Sequence, residues 1–141
     1  MEYLHREITE KIIGCFYEVH NRLGYGFMEK VYERALMIEL RASGLDARSQ
    51  EPVKVFYKRE TVGDYYADIV VNDSVILELK GADFIIEEHE FQLINYLRAT
   101  EIEVGLLLNF GKKPEMRRKI FTNDRKKTNT DDAETDIITT D

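Results

Sequence analysis

The chain predicts an α/β fold, a mixed β-sheet flanked by helices, in the order αβββαβ behind one extra N-terminal helix. Three features carry this. Two stretches of helical periodicity open the chain, an alternating hairpin follows, and a helix-length segment separates that hairpin from a further apolar strand. Hairpin strands pair antiparallel, whereas a strand that returns after a crossover helix pairs in parallel.

The elements follow in order. Ile8, Ile12, Cys15, Phe16, Val19 and Leu23 recur at helical spacing, so a helix is predicted over 7–23. Gly24-Tyr25-Gly26 breaks it. A second helix is predicted over 28–42, with Val31, Ala35, Leu36, Ile38 and Leu40 as its apolar residues and Ser43-Gly44 closing it. Pro52 to Tyr57 reads as an edge strand, and a turn is placed at Lys58 to Asp64. Val70-Val71 and Val75-Ile76-Leu77 flank the turn signal Asn72-Asp73-Ser74, which makes a β-hairpin. Glu87 to Ala99 reads as the third helix and Val104 to Phe110 as a buried strand. Lys112 to Phe121 fits either a short edge strand or a loop.

At 141 residues, 43% hydrophobic and 33% charged, the chain suits one soluble domain with a real core, expected over 1–122. Its apolar runs are too short to span a bilayer, so no membrane partner is expected. The first residues lack the apolar stretch of a signal peptide, and the single cysteine, Cys15, fits a reducing, cytoplasmic setting. From 123 to 141 six acids stand against Arg125, Lys126 and Lys127, and apolar content nearly vanishes; a disordered acidic tail is expected there. The net charge of −7 argues against sequence-independent nucleic-acid binding by the whole surface, yet leaves room for a local basic patch.

Chemistry concentrates in the hairpin. Side chains alternate faces along a strand, so Glu78 and Lys80 point one way while Leu77 and Leu79 point the other. If the hairpin closes around Asn72-Asp73, Asp68 comes close to Glu78. Two carboxylates and an ammonium then converge on a mostly apolar sheet, which favours a hard divalent cation with oxygen ligands. A backbone carbonyl near Leu79 is a further available ligand. By periodicity alone the same residues also read as a surface ion-pair ladder. Gln92 and Tyr96 share a helix face, with His89 one turn earlier. Lys112, Lys113, Arg117, Arg118 and Lys119 form a basic run that suits phosphate contacts or an edge that blocks strand pairing. His20 reads as a structural hydrogen-bonding residue and Cys15 as a buried, inert thiol.

The run Gly26-Phe27-Met28-Glu29-Lys30-Val31-Tyr32 resembles the signature of the GxxExxY proteins, which belong to the PD-(D/E)XK nuclease-like superfamily. The resemblance spans about Ile12 to Gly111 and takes in Ala67-Asp68, Glu78-Leu79-Lys80, His89-Glu90-Phe91-Gln92, Tyr96-Leu97 and Gly105 to Gly111. Ala67 stands where the superfamily motif has proline. The resemblance implies a restriction-endonuclease-like core and a metal-dependent nuclease acting on DNA or RNA with Mg2+ or Mn2+. It implies that Asp68 and Glu78 bind metal, that Lys80 positions the attacking water, and that Glu29 adds a helical acid. It also implies that Gln92 and Tyr96 orient substrate. A glutamate in the first turn of a helix is favoured by the helix dipole in any case, so Glu29 carries both readings. Lys112 and Lys113 are the basic residues expected to contact nucleic acid, and a homodimer is expected by analogy with small nucleases. The alternative is a catalytically silent nuclease-fold module that binds nucleic acid or a protein partner.

Overall fold

Alternating apolar residues on central strands give a sheet two faces to bury, and amphipathic helices cover both. The computed structural model describes residues 4–126. Its elements are α1 (Arg6–Leu23), α2 (Glu29–Ala42), β1 (Ala47–Tyr57), β2 (Glu60–Val71), β3 (Val75–Lys80), α3 (Glu87–Ala99), β4 (Val104–Phe110) and β5 (Pro114–Ile120), then a 3-10 turn at Asn123–Arg125. The five strands lie in the order β1-β2-β3-β4-β5. β3 and β4 are parallel and joined through α3; the remaining neighbours are antiparallel. This is the mixed α/β sheet predicted, with the Lys112–Phe121 segment resolved as an edge strand. Among the described residues no helix is long and apolar enough to cross a membrane.

The helices α1 and α2 cover one face. Ile12, Phe16, Tyr32, Leu36 and Leu40 pack there against Ile69, Leu77, Leu79, Leu106, Leu108 and Phe110. The other face belongs to α3, whose Leu93, Tyr96 and Leu97 meet Val70, Ile76 and Leu107. Leu77 and Leu79 thus point to the α1–α2 layer, and Glu78 and Lys80 alternate toward α3. On α2 the predicted apolar stripe needs correction. Val31 and Ile38 are exposed, while Tyr32 and Met37 face inward, because the helix turns its Tyr32–Leu36–Leu40 line to the sheet.

The strands of the first hairpin are longer than predicted. β1 begins five residues before Pro52, and the turn shrinks to Lys58-Arg59, both left-handed at φ 49° and 73°. Ala47 to Glu51 and Glu60 to Asp64 lack an apolar alternation of their own. They are strands because the facing strand supplies their backbone partners: Ala47 to Glu51 pairs along Ala67 to Val71, and Glu60 to Asp64 along Lys54 to Tyr57. The tail expected over 123–141 lies outside the described residues apart from its first four. Those are held: the buried Lys126 ammonium donates to the carbonyls of Thr100 and Ile102 at 2.9 and 2.7 Å.

A clamp fixes the segment after β3. The side chain of Asn109, fully buried, accepts from Ala82 N–H and donates to Ala82 O, both at 2.9 Å. His20 Nε2 lies 2.7 Å from Gly111 O, the structural role expected of it. A Cβ at Gly111 would come within 2.3 Å of Ala82 O, a backbone atom that cannot swing aside. Gly111→Ala should therefore destabilise the domain by about 1–3 kcal/mol, read from urea unfolding. Parental stability would contradict this close approach.

Candidate functional site

The hairpin turn sets the register of the site. Asn72 and Asp73 are both left-handed, at φ 54° and 51°, as a tight hairpin turn requires. From there the ladder pairs Val71 with Val75, Val70 with Ile76 and Ile69 with Leu77. The next pair would be Asp68 with Glu78, and there the ladder stops. The two side chains take over the released backbone groups. Asp68 N–H donates to Glu78 Oε2 at 2.9 Å, and Leu79 N–H donates to Asp68 Oδ2 at 2.8 Å. On the other flank of β2, Gln50 falls opposite Asp68, drops out of the ladder and adopts φ 55°. The strands splay around the two acids, and each acid keeps one oxygen committed to backbone. Asp68 Oδ1 and Glu78 Oε1 accept no hydrogen bond among the described residues, and neither is a buried orphan.

The electrostatics follow from burial. Glu78 is 3% exposed. Its carboxyl is pushed up from the usual 4.5 to about 8, mainly by burial and next by the charge of Asp68; the Asp68 N–H and Lys80 oppose the shift. Asp68 is raised as well, by burial first, with the acids Glu33 and Glu29 adding to it. Glu33 is a buried acid on α2 that the sequence reading missed. Gln50 Nε2 reaches both of its oxygens at 3.3 Å, and Lys30 stands 3.7 Å away. Its spacing four residues after Glu29 on the same helix face was the available signal.

Lys80 and α3 complete the arrangement. Lys80 Nζ donates to Gln92 Oε1 at 3.1 Å, and Gln92 Nε2 contacts Tyr96 Oη at 3.3 Å. The four-residue spacing predicted for Gln92 and Tyr96 is therefore a direct contact, and it ties both to the lysine. Burial lowers the His89 pKa, and Lys80 adds to that shift. Glu29 approaches from α2, where Gly81 N–H donates to its Oε2 at 3.3 Å. It is delivered by the turn before the helix. Gly26 takes φ 107°, open to glycine, and Tyr32 Oη donates to Gly24 O at 2.7 Å and accepts from Phe27 N–H at 3.3 Å. The Tyr32 ring stacks on Phe110 at 4.4 Å, so the entry to α2 is pinned to the sheet.

The basic run does not form one patch. Arg118 pairs in register with Leu106 on the α1–α2 face and donates to Leu4 O at 2.6 Å. Arg117 and Lys119 lie on the α3 face, where Lys119 is in an ion pair with Glu90. Alternation along an edge strand divides what the sequence presents as a cluster. Lys112 and Lys113 are exposed at the β4–β5 turn, with Lys112 Nζ 5.8 Å from the Tyr25 ring centroid. Cys15 is buried beside Ser43, at 3.3 Å.

Among the described residues no group of three or more His, Cys, Asp and Glu gathers closely enough to hold a metal ion. The donor set is the Asp68–Glu78 pair. Two carboxylates, each with one uncommitted oxygen, fit a small hard cation that keeps several of its own waters. Such an ion would also offset the burial and the neighbouring acid charges that raise both carboxyls.

Residues 6–119 match the family model of the PD-(D/E)XK nuclease superfamily. No curated protein matches the chain. Among solved structures, one titled "Crystal structure of SSO0001" is similar at a TM-score of 0.52 and 17% identity, over 79% of this chain and 58% of that one. At that identity the likeness concerns the fold, and the chain spans 58% of that structure's length. The family match is of a different kind, because it runs through every helix and strand from α1 into β5 and includes the splayed acids. This chain belongs to the PD-(D/E)XK nuclease superfamily.

Proposed function

We propose that the chain is a metal-dependent nuclease that hydrolyses phosphodiester bonds in DNA or RNA. The observation that carries this reading is the crossed Asp68–Glu78 pair at the strand splay, with Lys80 on the same face and held by Gln92. Asp68 and Glu78 would bind Mg2+ or Mn2+, with Glu29 in support. When bound, the ion supplies charge neutralisation at the phosphoryl oxygens and makes a water acidic enough to react near neutral pH. Lys80 Nζ orients the attacking water, and the Gln92 amide aims that ammonium. Tyr96 Oη braces Gln92 and hydrogen-bonds the nucleic-acid backbone. Lys112 and Lys113 receive phosphates at the neighbouring end of the sheet. In this reading Gly26, Glu29 and Tyr32 are the three fixed residues of the GxxExxY signature, and the protein works in the cytoplasm as a homodimer.

Calorimetry tests the metal half of the proposal. Mg2+ should give a binding isotherm with the parent that Asp68→Asn abolishes. A second reading is a nuclease-fold module that binds nucleic acid or protein without turnover. It is favoured by the absence of a three-ligand cluster among the described residues. Nucleic-acid binding retained with no Asp68-dependent Mg2+ heat selects it.

A further inference from the structure

We propose that the cleft between the β1–β2 arm and α3 seats one unpaired nucleobase of a single-stranded nucleic acid, stacked on Tyr65. The inference rests on the nucleic-acid reading above and names the form of the strand.

The cleft has a volume of about 570 Å³, within the size range of small-ligand sites. Its floor is sheet and its wall is helix. Val55 and Tyr65 form the floor, and Phe91, Gln92, Asn95 and Arg98 line the wall. Those wall positions recur at helical spacing, so one face of α3 looks into the cleft. Gln92 lines the cleft and also accepts from Lys80 Nζ, so it links the cleft to the lysine of the site.

Tyr65 packs closely over Gly63. Gly63 shares its strand face, and a Cβ there would come within 2.7 Å of Tyr65 Cε2 and 3.3 Å of Val55 Cβ. The missing side chain lets the ring fold back along the strand over Val55. Tyr65 is 49% exposed and Phe91, across the cleft, 54%, so both aromatic residues are open to solvent. Tyr96 supports Tyr65 from beside it, at 6.0 Å between centroids. Two partly exposed aromatic side chains, the amide groups of Gln92 and Asn95, and a guanidinium at one end match the parts of a single nucleotide. Arg98 and the one acid on the wall, Glu88, are ten residues apart, about 15 Å along the helix. A phosphate therefore meets positive charge at the Arg98 end. A duplex hides its base faces in its own stack and cannot fill the slot.

The test uses the full chain in EDTA and 12-nucleotide single strands of DNA and of RNA, the matching duplexes, and the same strands with abasic positions, read by fluorescence anisotropy. Tyr65→Ala should weaken single-strand binding by about 5- to 150-fold and leave duplex binding unchanged. Tyr65→Phe should keep parental affinity, and Gly63→Ala, which displaces the ring, should weaken binding. Parental single-strand affinity in Tyr65→Ala, equal binding of abasic strands, or no binding of any strand by the parent overturns the inference. The two proposals fail separately. Tyr65-dependent binding without cleavage upholds the cleft and removes the nuclease, whereas cleavage with Tyr65-independent affinity does the reverse.

Discussion

Lys80→Ala should lower the rate of phosphodiester cleavage by about 1,000-fold, the scale of losing one preorganised charge at a reacting centre, and leave KM nearly unchanged. The reasoning starts from where the ammonium stands. It is two residues beyond Glu78 on the same face and bonded to Gln92 Oε1 at 3.1 Å, so its direction is fixed before substrate arrives. An interaction that strengthens as charge develops on the phosphoryl group appears in kcat rather than in KM. Lys80→Arg should not rescue the rate, because a planar guanidinium cannot occupy the place of a compact ammonium. Gln92→Ala should cost less, about tenfold, since it frees the lysine without removing it. Single-turnover cleavage of labelled DNA and RNA in Mg2+ distinguishes these outcomes. Equal cleavage by the parent, Asp68→Asn and Lys80→Ala would mean that the activity belongs to a contaminant and would remove the enzymatic claim.

The parts of this site that follow from periodicity were legible in the sequence. Counting outward from the three-residue Asn72-Asp73-Ser74 turn places Asp68 opposite Glu78, and alternation places Glu78 and Lys80 together. The helical spacing of Gln92 and Tyr96 likewise became a contact. What periodicity could not give was the splay. The ladder ends at Ile69–Leu77 because the carboxylates outcompete the strands for Asp68 N–H and Leu79 N–H, and no pattern of residue types encodes that competition. The basic run failed as a patch for the opposite reason: proximity in sequence is divided by a two-residue period. Glu33 was missed because a single acid on a helix reads as solvated, and its burial depends on Gln50 leaving the neighbouring strand pair. The long β1–β2 arm was shortened because exposed strands need only backbone partners, not apolar alternation.

Glu78→Gln should make the metal-free protein more stable at pH 8 and remove most of its dependence on pH between 5 and 8. The Glu78 carboxyl is raised from 4.5 to about 8, by burial first and the Asp68 charge second. A raised acid holds a proton in the folded state that the unfolded chain has already lost. Between those two values the folded state binds more protons, so stability falls as pH rises, on the order of 4 kcal/mol in total. Asp68, also raised, acts in the same direction. His89, lowered by burial, works against it only around its ordinary value of 6.5. Lys126, lowered from 10.5 to about 8 by burial, opposes it only above this window. Urea unfolding in EDTA should therefore show the parent losing stability from pH 5 to pH 8, while Glu78→Gln loses far less. Adding Mg2+ should restore the parent at pH 8 and do little at pH 5, where protons hold the acids, because a ligand stabilises only the state it binds. The glutamine variant should show no such rescue. A parent whose stability is flat or rising across this range, with Glu78→Gln running parallel to it, would mean that the buried acid is not strained. The instability of the empty acid pair would then not be available to favour a cation.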